Sequence, residues 1–339
     1  MADLQQKLES YLSNRLQGKV EVNHIQLLSG GACQENHLIK LNIAGGSNAG
    51  GYDLVMRTDR GGSLLSSLPR MNEYKVAEAA YNASVKTPKV MWLEESPKVI
   101  GAPFYFMQRI EGNATGRFIV KDKSINEARK RLADELAQSL AKLHSITQSQ
   151  KFEQLDFLPK QDKHTLSLQA ISEIREELSG FDEPHPAIEL SLNWLAENAP
   201  VADEIVLIHG DFRTGNFMVS PEGLQGIVDW EFAHWGDRHE DIAWLCMRDW
   251  RFGVLKKEAG GFASRQDFYS AYERYSGIKV DERRLLFWEV MGNVRWAVGS
   301  MQQAERHISG KDRGIELASI GRRTAEMEFE MMRLIENAR

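Results

Sequence analysis

Residues 209–216 read His-Gly-Asp-Phe-Arg-Thr-Gly-Asn, and residues 226–231 read Gly-Ile-Val-Asp-Trp-Glu. In the first stretch Asp211 is followed five positions later by Asn216. That spacing is typical of loops that place a proton acceptor beside a metal ligand in phosphoryl-transfer enzymes. In the second stretch Asp229 ends an apolar run with a carboxylate able to hold Mg²⁺. Together the two stretches predict a phosphoryl-transfer site.

The chain between these two acidic residues is predicted to fold as a β-hairpin. Residues 217–219 and 224–228 are apolar and β-prone, and residues 220–223 read Ser-Pro-Glu-Gly, a turn signal. The hairpin would bring Asn216 and Asp229 to one open end, where their oxygens would share a Mg²⁺ with nucleotide phosphates. Asp211 would face the hydroxyl being phosphorylated. Without Asp229, a strand-to-turn junction with a capping Asp would explain residues 209–211 equally well.

These motifs, with others in the same order, resemble the aminoglycoside phosphotransferase-like kinases. That family is similar in fold to protein kinases but has His-Gly-Asp where those have His-Arg-Asp. The resemblance covers nearly the whole chain and rests on residues 28–31, 52–57, 72–76, 101–107, 209–216, 236–237, 240–245, 250–253, 287–289 and 320–323. The carboxy-terminal part resembles a bacterial phosphotransferase branch related to kinase-like domains associated with acyl-CoA dehydrogenases. For that branch the resemblance implies hydroxyacyl-CoA derivatives as one acceptor class.

The resemblance implies an α+β protein with a bilobal protein-kinase-like fold. A small β-rich N-lobe over residues 1–109 would bind nucleotide, and a larger, mostly helical C-lobe over residues 110–339 would hold the catalytic loop, the metal site and the acceptor pocket. The pattern agrees with this order: an opening helix, a helical run over 68–83, and β-prone runs at 20–28, 37–43, 52–57, 89–93 and 104–108. Beyond residue 123, leucines recur at helical spacing after a predicted Ser124 cap.

Two groups of residues in the N-lobe are predicted to bind nucleotide. Ser29, Gly30 and Gly31 lie between candidate strands, where their backbone N–H groups would close over phosphates; a glycine pair at a hairpin turn would look the same. Met107 and Arg109 fall where the lobes would join and are predicted to lie beside the adenine. A buried strand followed by a linker is the alternative there.

Arg57 occupies the place where this family usually has a phosphate-binding Lys, and Glu73 on the next helix is its expected partner. Arginine presents a planar fork and lysine a compact charge, so the two differ in the geometry they offer a phosphate. The departure leaves weak nucleotide binding or loss of activity open. Arg57 paired with a surface carboxylate is the structural alternative, and Lys40 on the preceding strand is a second candidate for the phosphate.

Two further carboxylates allow two interpretations each. Glu231 is predicted either to join the metal site or to be a solvated hairpin-end side chain. Asp241 is predicted to cap a helix, while the resemblance implies that it steadies the catalytic loop. Most tryptophans of the C-lobe are predicted to be core. Its arginines would bind an anionic acceptor or, more simply, form salt bridges on helix surfaces; the candidates are Arg248, Arg251, Arg295, Arg322 and Arg323, with His307.

Composition narrows the function classes. With 339 residues, 42% hydrophobic and 27% charged, the chain can bury a substantial core in two lobes. A net charge of −6 with scattered basic residues gives no reason to expect a nucleic-acid partner. Cys33 and Cys246 are too few for a disulfide framework, which fits a reducing cytoplasm. Residues 1–16 mix charges through the sequence, and no apolar run reaches the roughly 20 residues that span a bilayer, so neither a signal peptide nor a membrane is expected.

The sequence therefore predicts an ATP-dependent phosphotransferase that moves the γ-phosphate to a hydroxyl of a small molecule. Asp211 would accept the proton, Asn216 and Asp229 would hold Mg²⁺, and Arg57 would position phosphates. Aminoglycosides, amino alcohols, sugars and hydroxyacyl-CoA compounds all remain possible acceptors, and the preference for ATP over GTP and the oligomeric state stay open. The alternative is a pseudokinase that binds nucleotide or a partner without transferring phosphate. Arg57 motivates it, and the presence of Asp211, Asn216 and Asp229 argues against it.

Overall fold

The computed structural model describes residues 2–28, 34–59, 67–311 and 313–338. The predicted glycine-loop residues Ser29, Gly30 and Gly31 lie outside these ranges, as does Cys33. The chain divides into two compact units. The first comprises residues 1–111 and 225–233, and the second comprises residues 112–224 and 234–339.

The first unit is built on a five-stranded antiparallel sheet with strand order β1-β2-β3-β5-β4. Its elements are α1 (Ala2–Leu16), β1 (Lys19–Leu28), β2 (Gln34–Ala44), β3 (Gly50–Asp59), α2 (Arg70–Asn82), β4 (Val90–Glu94) and β5 (Phe104–Gln108). All five predicted strands and the predicted helix between the third and fourth are present, with ends displaced by at most three residues.

The core of the first unit follows from the two periodicities of its elements. Along β2, alternate residues Ile39, Leu41 and Ile43 are buried, because successive side chains of a strand point to opposite faces. Along α1, Leu8 and Leu12 are one helical turn apart and are completely buried against the same face of the sheet. Strand β3 lies between β2 and β5 in this sheet and α2 contacts β4 and β5, and both β3 and α2 carry candidate site residues.

The second unit is mostly helical. Its helices are α3 (Gly116–Lys121), α4 (Asn126–Leu143), α5 (Leu166–Leu178), α6 (Pro186–Glu197), α7 (Arg238–Cys246), α8 (Arg265–Ser276), α9 (Glu282–Ile308), α10 (Ile315–Gly321) and α11 (Thr324–Asn337). Its strands are β6 (Val206–Ile208), paired with β9 (His234–Gly236), and β7 (Phe217–Ser220), paired with β8 (Gly223–Ile227). The predicted hairpin is therefore confirmed, and the boundary between the units falls within β8.

The predicted cap at the start of α4 is wrong. A short 3₁₀ turn, Lys123–Ile125, precedes the helix. The residue that caps this turn is Asp122, whose Oδ1 accepts a hydrogen bond from the Ser124 backbone N–H at 2.8 Å. The hydroxyl of Ser124 also donates to Asp122 Oδ1, at 2.6 Å, so Ser124 is a donor in this turn and not its cap. The leucines at 132, 136, 140 and 143 lie on the buried face of α4 as predicted. No helix in the described ranges is long and apolar enough to cross a bilayer.

Candidate active site

The predicted catalytic loop, residues 209–216 of the second unit, begins where β6 ends. Gly210 has φ of 77°, in the left-handed region that a side chain would disfavour, and this turns the chain toward Asp211. The turn is held by Asp241 on α7, which is completely buried. Its carboxylate accepts the backbone N–H of His209 at 2.7 Å and that of Gly210 at 3.0 Å. Asp241 therefore fixes the backbone immediately before Asp211.

The prediction that Asp241 caps a helix is wrong. The cap of α7 is Asp237, one helical turn earlier, which accepts the His239 backbone N–H at 2.9 Å. Glu240 completes a capping box by accepting the Asp237 backbone N–H. Asp241 is thereby released from capping, and its contacts are those of the loop-steadying role that the resemblance implies.

His144 on α4 is a buried partner of Asp241. Its Nε2 lies 3.2 Å from Asp241 Oδ2, and its Nδ1 lies 2.8 Å from the Tyr272 hydroxyl. This pattern fits a neutral imidazole that donates from Nε2 and accepts at Nδ1. Burial lowers the pKa of His144 below its ordinary 6.5, and the neighbouring Asp241 carboxylate only partly opposes that effect. The folded protein therefore holds His144 neutral.

We expect the free energy of unfolding to fall as the pH drops below 6.5, because the unfolded chain then binds a proton at His144 that the folded chain does not. One such proton contributes a slope of at most about 1.4 kcal/mol per pH unit. Urea unfolding of the wild type and of His144→Gln, whose amide can donate and accept but does not titrate, isolates this contribution. The stability advantage of the wild type should shrink steadily as the pH falls. A constant difference between the two proteins would contradict the assignment.

Asp211 is only 7% exposed, and nitrogen donors surround its carboxylate. Asn216 donates through Nδ2 to Asp211 Oδ2 at 2.7 Å, and Arg213 donates through Nε to both carboxylate oxygens, at 2.8 and 3.0 Å. The indole N–H of Trp244 donates to Oδ1 at 2.8 Å. Hydrogen bonds to an ionised carboxylate are strong and directional, so Asp211 is fixed in one orientation. Sequence reasoning assigned no site role to Arg213 or Trp244.

Arg57 and Glu73 form the ion pair that the sequence predicts. In the first unit, Arg57 Nη2 on β3 lies 2.8 Å from Glu73 Oε1 on α2 and also donates to Asp229 Oδ1 at 2.5 Å. Glu73 is 1% exposed, so the alternative of a surface carboxylate is wrong. Burial alone would lower the pKa of Arg57, but the carboxylates of Glu73 and Asp229 outweigh it and raise that pKa. Lys40 on β2 is exposed, which disfavours it as the phosphate-binding residue in place of Arg57.

Arg70 is a second buried cation in this cluster, and sequence reasoning missed it. Its side chain is 1% exposed and forms ion pairs with Glu73, one turn later on α2, and with Asp59 Oδ1 at 2.8 Å. Its Nη2 lies 3.7 Å from Glu231 Oε2. The Arg–Glu spacing of three residues on a helix was the available signal. Arg70 holds Glu73 in place independently of Arg57.

Asp229 and Glu231 form a pair of carboxylates suited to a hard cation. Glu231 is 7% exposed, so a solvated hairpin-end carboxylate is wrong, and its Oε2 is buried without a hydrogen-bond partner among the described residues. Burial, and then the nearby charge of Asp229, raise the pKa of Glu231 to about 7. Two carboxylates, one of them with an oxygen that accepts no hydrogen bond from the described residues, fit the oxygen ligands that Mg²⁺ prefers. The described ranges contain no cluster of three or more His, Cys, Asp or Glu side chains able to hold a metal.

A pocket in the first unit brings several of these residues together. It is lined by Arg57, Ala77, Thr87, Pro88, Val90, Tyr105, Met107, Val228, Asp229 and Trp230. Met107 thus shares a pocket with the proposed phosphate and metal residues. Arg109 is not among the lining residues; it forms a half-exposed ion pair with Asp53 at 2.8 Å.

A row of aromatic rings extends from Asp211 within the second unit. Trp244 packs on Trp250 with ring centroids 5.6 Å apart, and Trp250 packs on Trp296 at 5.3 Å. We call these three side chains the tryptophan row. Trp250 is buried as predicted, whereas Trp244 and Trp296 keep partial exposure. The guanidinium of Arg213 lies 4.5 Å from the Trp250 ring centroid, within range of a cation–π contact.

The far end of the tryptophan row carries a paired acid. Trp296 donates its indole N–H to Asp249 Oδ2 at 2.7 Å, and Arg323 forms an ion pair with the same carboxylate. Other predicted salt bridges are present as well: Arg295 lies 2.7 Å from Glu240, and Arg248 lies 3.7 Å from Glu330. These contacts agree with the prediction that the C-lobe arginines form salt bridges. Through Asp249, Arg323 also lies near Trp296, the partly exposed end of the tryptophan row.

Comparison with known proteins gives three informative similarities. The chain is 29% identical over 259 residues to acyl-CoA dehydrogenase family member 10 of Mus musculus, covering 73% of this chain and 22% of that protein. It resembles a crystal structure described as an aminoglycoside phosphotransferase from Ralstonia eutropha, with TM-score 0.74, 20% identity and 98% of each chain covered. It also resembles spectinomycin phosphotransferase in complex with ADP and spectinomycin, with TM-score 0.63, 12% identity, and 96% and 98% of the chains covered.

These similarities confirm the predicted α+β kinase-like fold. The chain spans about a quarter of the length of the first curated relatives it matches, at 22%, 27% and 25%. The model of the phosphotransferase enzyme family matches residues 25–278, a range that includes the predicted catalytic loop and the Asp229 motif. This chain belongs to the phosphotransferase enzyme family.

Proposed function

We propose that the chain transfers the γ-phosphoryl group of ATP to a hydroxyl of a small molecule, with Mg²⁺ as cofactor. The observation that carries this proposal is the Asp211 carboxylate, buried and held in one orientation by Asn216, Arg213 and Trp244. Membership of the phosphotransferase family and the ADP complex of a structurally similar enzyme support it. The first unit would bind the nucleotide and the second the acceptor.

Asp211 would orient the acceptor hydroxyl and take its proton as the phosphoryl group transfers. The loose transition state of phosphoryl transfer asks for alignment and charge stabilisation rather than covalent chemistry. Asp241 supports that alignment by fixing the loop backbone at His209 and Gly210.

The nucleotide residues are proposed on the geometry of the first unit. Arg57 would contact phosphate oxygens while Glu73, itself held by Arg70, keeps the guanidinium in place. Met107 would lie beside the base, since it lines the same pocket as Arg57. Ser29, Gly30 and Gly31 over the phosphates and Arg109 near the adenine remain predictions from the sequence.

The metal ligands are proposed to be Asn216, Asp229 and Glu231. Asn216 makes both of its side-chain hydrogen bonds with described residues through Nδ2, so its amide oxygen is the atom suited to a cation. Glu231 contributes a buried oxygen without a hydrogen-bond partner in the described ranges. When bound, Mg²⁺ supplies positive charge to the phosphate oxygens. Asp229 would exchange part of its contact with Arg57 for the cation.

The pseudokinase alternative rests on Arg57, whose Nη2 contacts two carboxylates, Glu73 and Asp229. If those contacts persist with nucleotide present, the guanidinium is withheld from phosphate. Calorimetric titration of ATP with and without Mg²⁺, followed by assay for ADP on the same samples, separates the two functions. Mg²⁺-dependent binding with no acceptor-stimulated ADP would favour the pseudokinase.

Among the acceptor classes, we propose an anionic hydroxy compound of the hydroxyacyl-CoA type rather than a polycationic aminoglycoside. The tryptophan row offers apolar ring surface beside Asp211, with Arg213 over its middle ring, Trp250, and Arg323 paired with the acid at its far end. The row's two acids, Asp211 and Asp249, are already paired with those arginines. A polycation would therefore find few available carboxylates, and an anion would share each of the two guanidinium groups with the acid already paired to it. The acyl-CoA dehydrogenase names of curated relatives agree with this class.

We expect Arg323→Gln to raise KM for a hydroxyacyl-CoA acceptor about tenfold with little change in kcat, because removing the cation also exposes the charge of Asp249. Steady-state ADP release gives kcat and KM for 3-hydroxybutyryl-CoA, the anionic acceptor, and for kanamycin, the polycationic one. Arg175→Gln, which removes a cation from an exposed pair with Glu189 in the same unit, is the matched control. Efficient phosphorylation of kanamycin, with KM unaffected by Arg323→Gln, would reverse the assignment.

A further inference from the structure

Helix α7 holds the catalytic loop at two points. Asp241 accepts the backbone N–H groups of His209 and Gly210, and Trp244 donates its indole N–H to the carboxylate of Asp211. Asp241 and Trp244 are three residues apart and so lie on one face of the helix. One rigid element therefore fixes both the backbone before Asp211 and the Asp211 side chain itself.

We propose that Trp244 is a positioning residue for phosphoryl transfer, acting through its N–H to hold the Asp211 carboxylate in its reactive orientation. This inference rests on the proposed function, in which Asp211 accepts the proton of the acceptor. Asn216 and Arg213, the other donors to that carboxylate, belong to the catalytic loop itself. Trp244 is the donor that ties the carboxylate to the helical body of the second unit.

The packing around Trp244 is consistent with this role. Gly292 lies in the interior of the long helix α9, where glycine is unfavourable relative to alanine. A Cβ at Gly292 would lie 3.2 Å from Trp244 Cε3 and 2.8 Å from Met247 Sδ. The missing side chain therefore makes room for the indole. The ring also packs against Trp250. The indole thus has packing contacts with α9 and with Trp250 while its N–H donates to Asp211.

The functional consequence follows from how a carboxylate acts as a base. Trp244 donates to Oδ1 and Asn216 to Oδ2, while the single Nε–H of Arg213 is shared between the two oxygens, so an acceptor hydroxyl would approach by displacing Arg213 and not the other two donors. A preoriented base needs less reorganisation during proton transfer than one free to rotate. Loss of the N–H should therefore lower the rate of the chemical step and leave nucleotide binding unchanged.

The test compares Trp244→Phe with Trp288→Phe. Both changes keep an aromatic ring and remove an indole N–H. Trp288 is also buried, at 2% exposure, but its Nε1 has no hydrogen-bond partner among the described residues, and its ring packs on Phe287. We expect Trp244→Phe to lower kcat about 10- to 100-fold, the range set by losing a hydrogen bond to a charged group, with KM for ATP unchanged. Trp288→Phe should keep kcat within about twofold, as for a change that leaves charged hydrogen bonds intact.

A second readout does not depend on activity. In a ¹⁵N–¹H spectrum of the full chain, the indole signal of Trp244 is identified by its loss in Trp244→Phe. If the contact exists, Asp211→Asn should move that signal more than it moves any other indole signal, because the N–H loses a charged acceptor. Equal kcat values for the two Phe variants, a change in KM for ATP alone, or an indole signal indifferent to Asp211→Asn would each overturn the proposal. A wild type that transfers no phosphate would instead overturn the proposed function, and the spectrum would still report whether the contact exists.

Discussion

Asp211→Asn is expected to lower kcat about 10³-fold while leaving ATP binding and the fold intact. The amide has nearly the same size as the carboxylate but does not accept a proton. In the wild type, Asn216, Arg213 and Trp244 all donate to this carboxylate, and in the variant an NH₂ group replaces one of the oxygens that accept from them. Both the proton acceptor and its fixed orientation are lost. Steady-state ADP release gives kcat, and calorimetric titration with Mg·ATP gives the binding constant.

Asp134→Asn is the matched control for this change. Asp134 lies on the same unit, is exposed, and pairs with Arg274 and Tyr275 on the surface. Exposed pairs of this kind contribute about 0–1 kcal/mol, so the control should behave like the wild type. An Asp211→Asn protein with kcat near that of the control would remove Asp211 from the reaction.

Asp229→Asn is expected to lower turnover by a similar factor, about 10³-fold, and to raise the Mg²⁺ concentration needed for half-maximal activity. The substitution removes one of the two carboxylates of the proposed cation site and weakens the contact that orients Arg57. It also removes a negative charge from beside Glu231, whose pKa that charge helps to raise. Relief of that repulsion offsets part of the lost contact with Arg57, which keeps its ion pair with Glu73, so we expect the fall in activity to be far larger than any fall in stability.

Titration of activity with Mg²⁺ and thermal unfolding, on the same preparations, measure the two quantities. Asp3→Asn, at an exposed carboxylate of α1 in the same unit, makes the same chemical change away from the cluster. Loss of activity that tracks a lower Tm would point to a structural role for Asp229. An unchanged Mg²⁺ requirement would exclude it from the cation site.

Local patterns in the sequence predict much of the fold. The alternation of apolar residues places all five strands of the first unit, and the Ser-Pro-Glu-Gly turn signal places the hairpin of β7 and β8. The partnership of Arg57 and Glu73 is also predictable, because the strand and the helix that carry them occur in the order of a kinase-like fold. In each case the information lies within a short stretch or in the order of neighbouring motifs.

Contacts between distant parts of the chain were not predictable. Trp244 donates to a residue 33 positions earlier, and an aromatic residue on a helix usually signals only core packing. Asp237 and Asp241 are one helical turn apart near the start of α7, so propensity alone does not tell the cap from the loop-binding residue. Arg70 carried a local signal toward Glu73, but its approach to Glu231 depends on the tertiary fold.

The central claim is that Asp211 serves acceptor-dependent phosphoryl transfer. Its most direct test is Mg²⁺-dependent ADP release from ATP against a panel of hydroxyacyl-CoA compounds, aminoglycosides, amino alcohols and sugars, run in parallel with wild type and Asp211→Asn. We predict that at least one acceptor, most strongly a hydroxyacyl-CoA, stimulates release by the wild type and that Asp211→Asn abolishes the stimulation. Acceptor-stimulated release that survives in Asp211→Asn, or tight Mg·ATP binding by the wild type with no stimulated release across the panel, would contradict it.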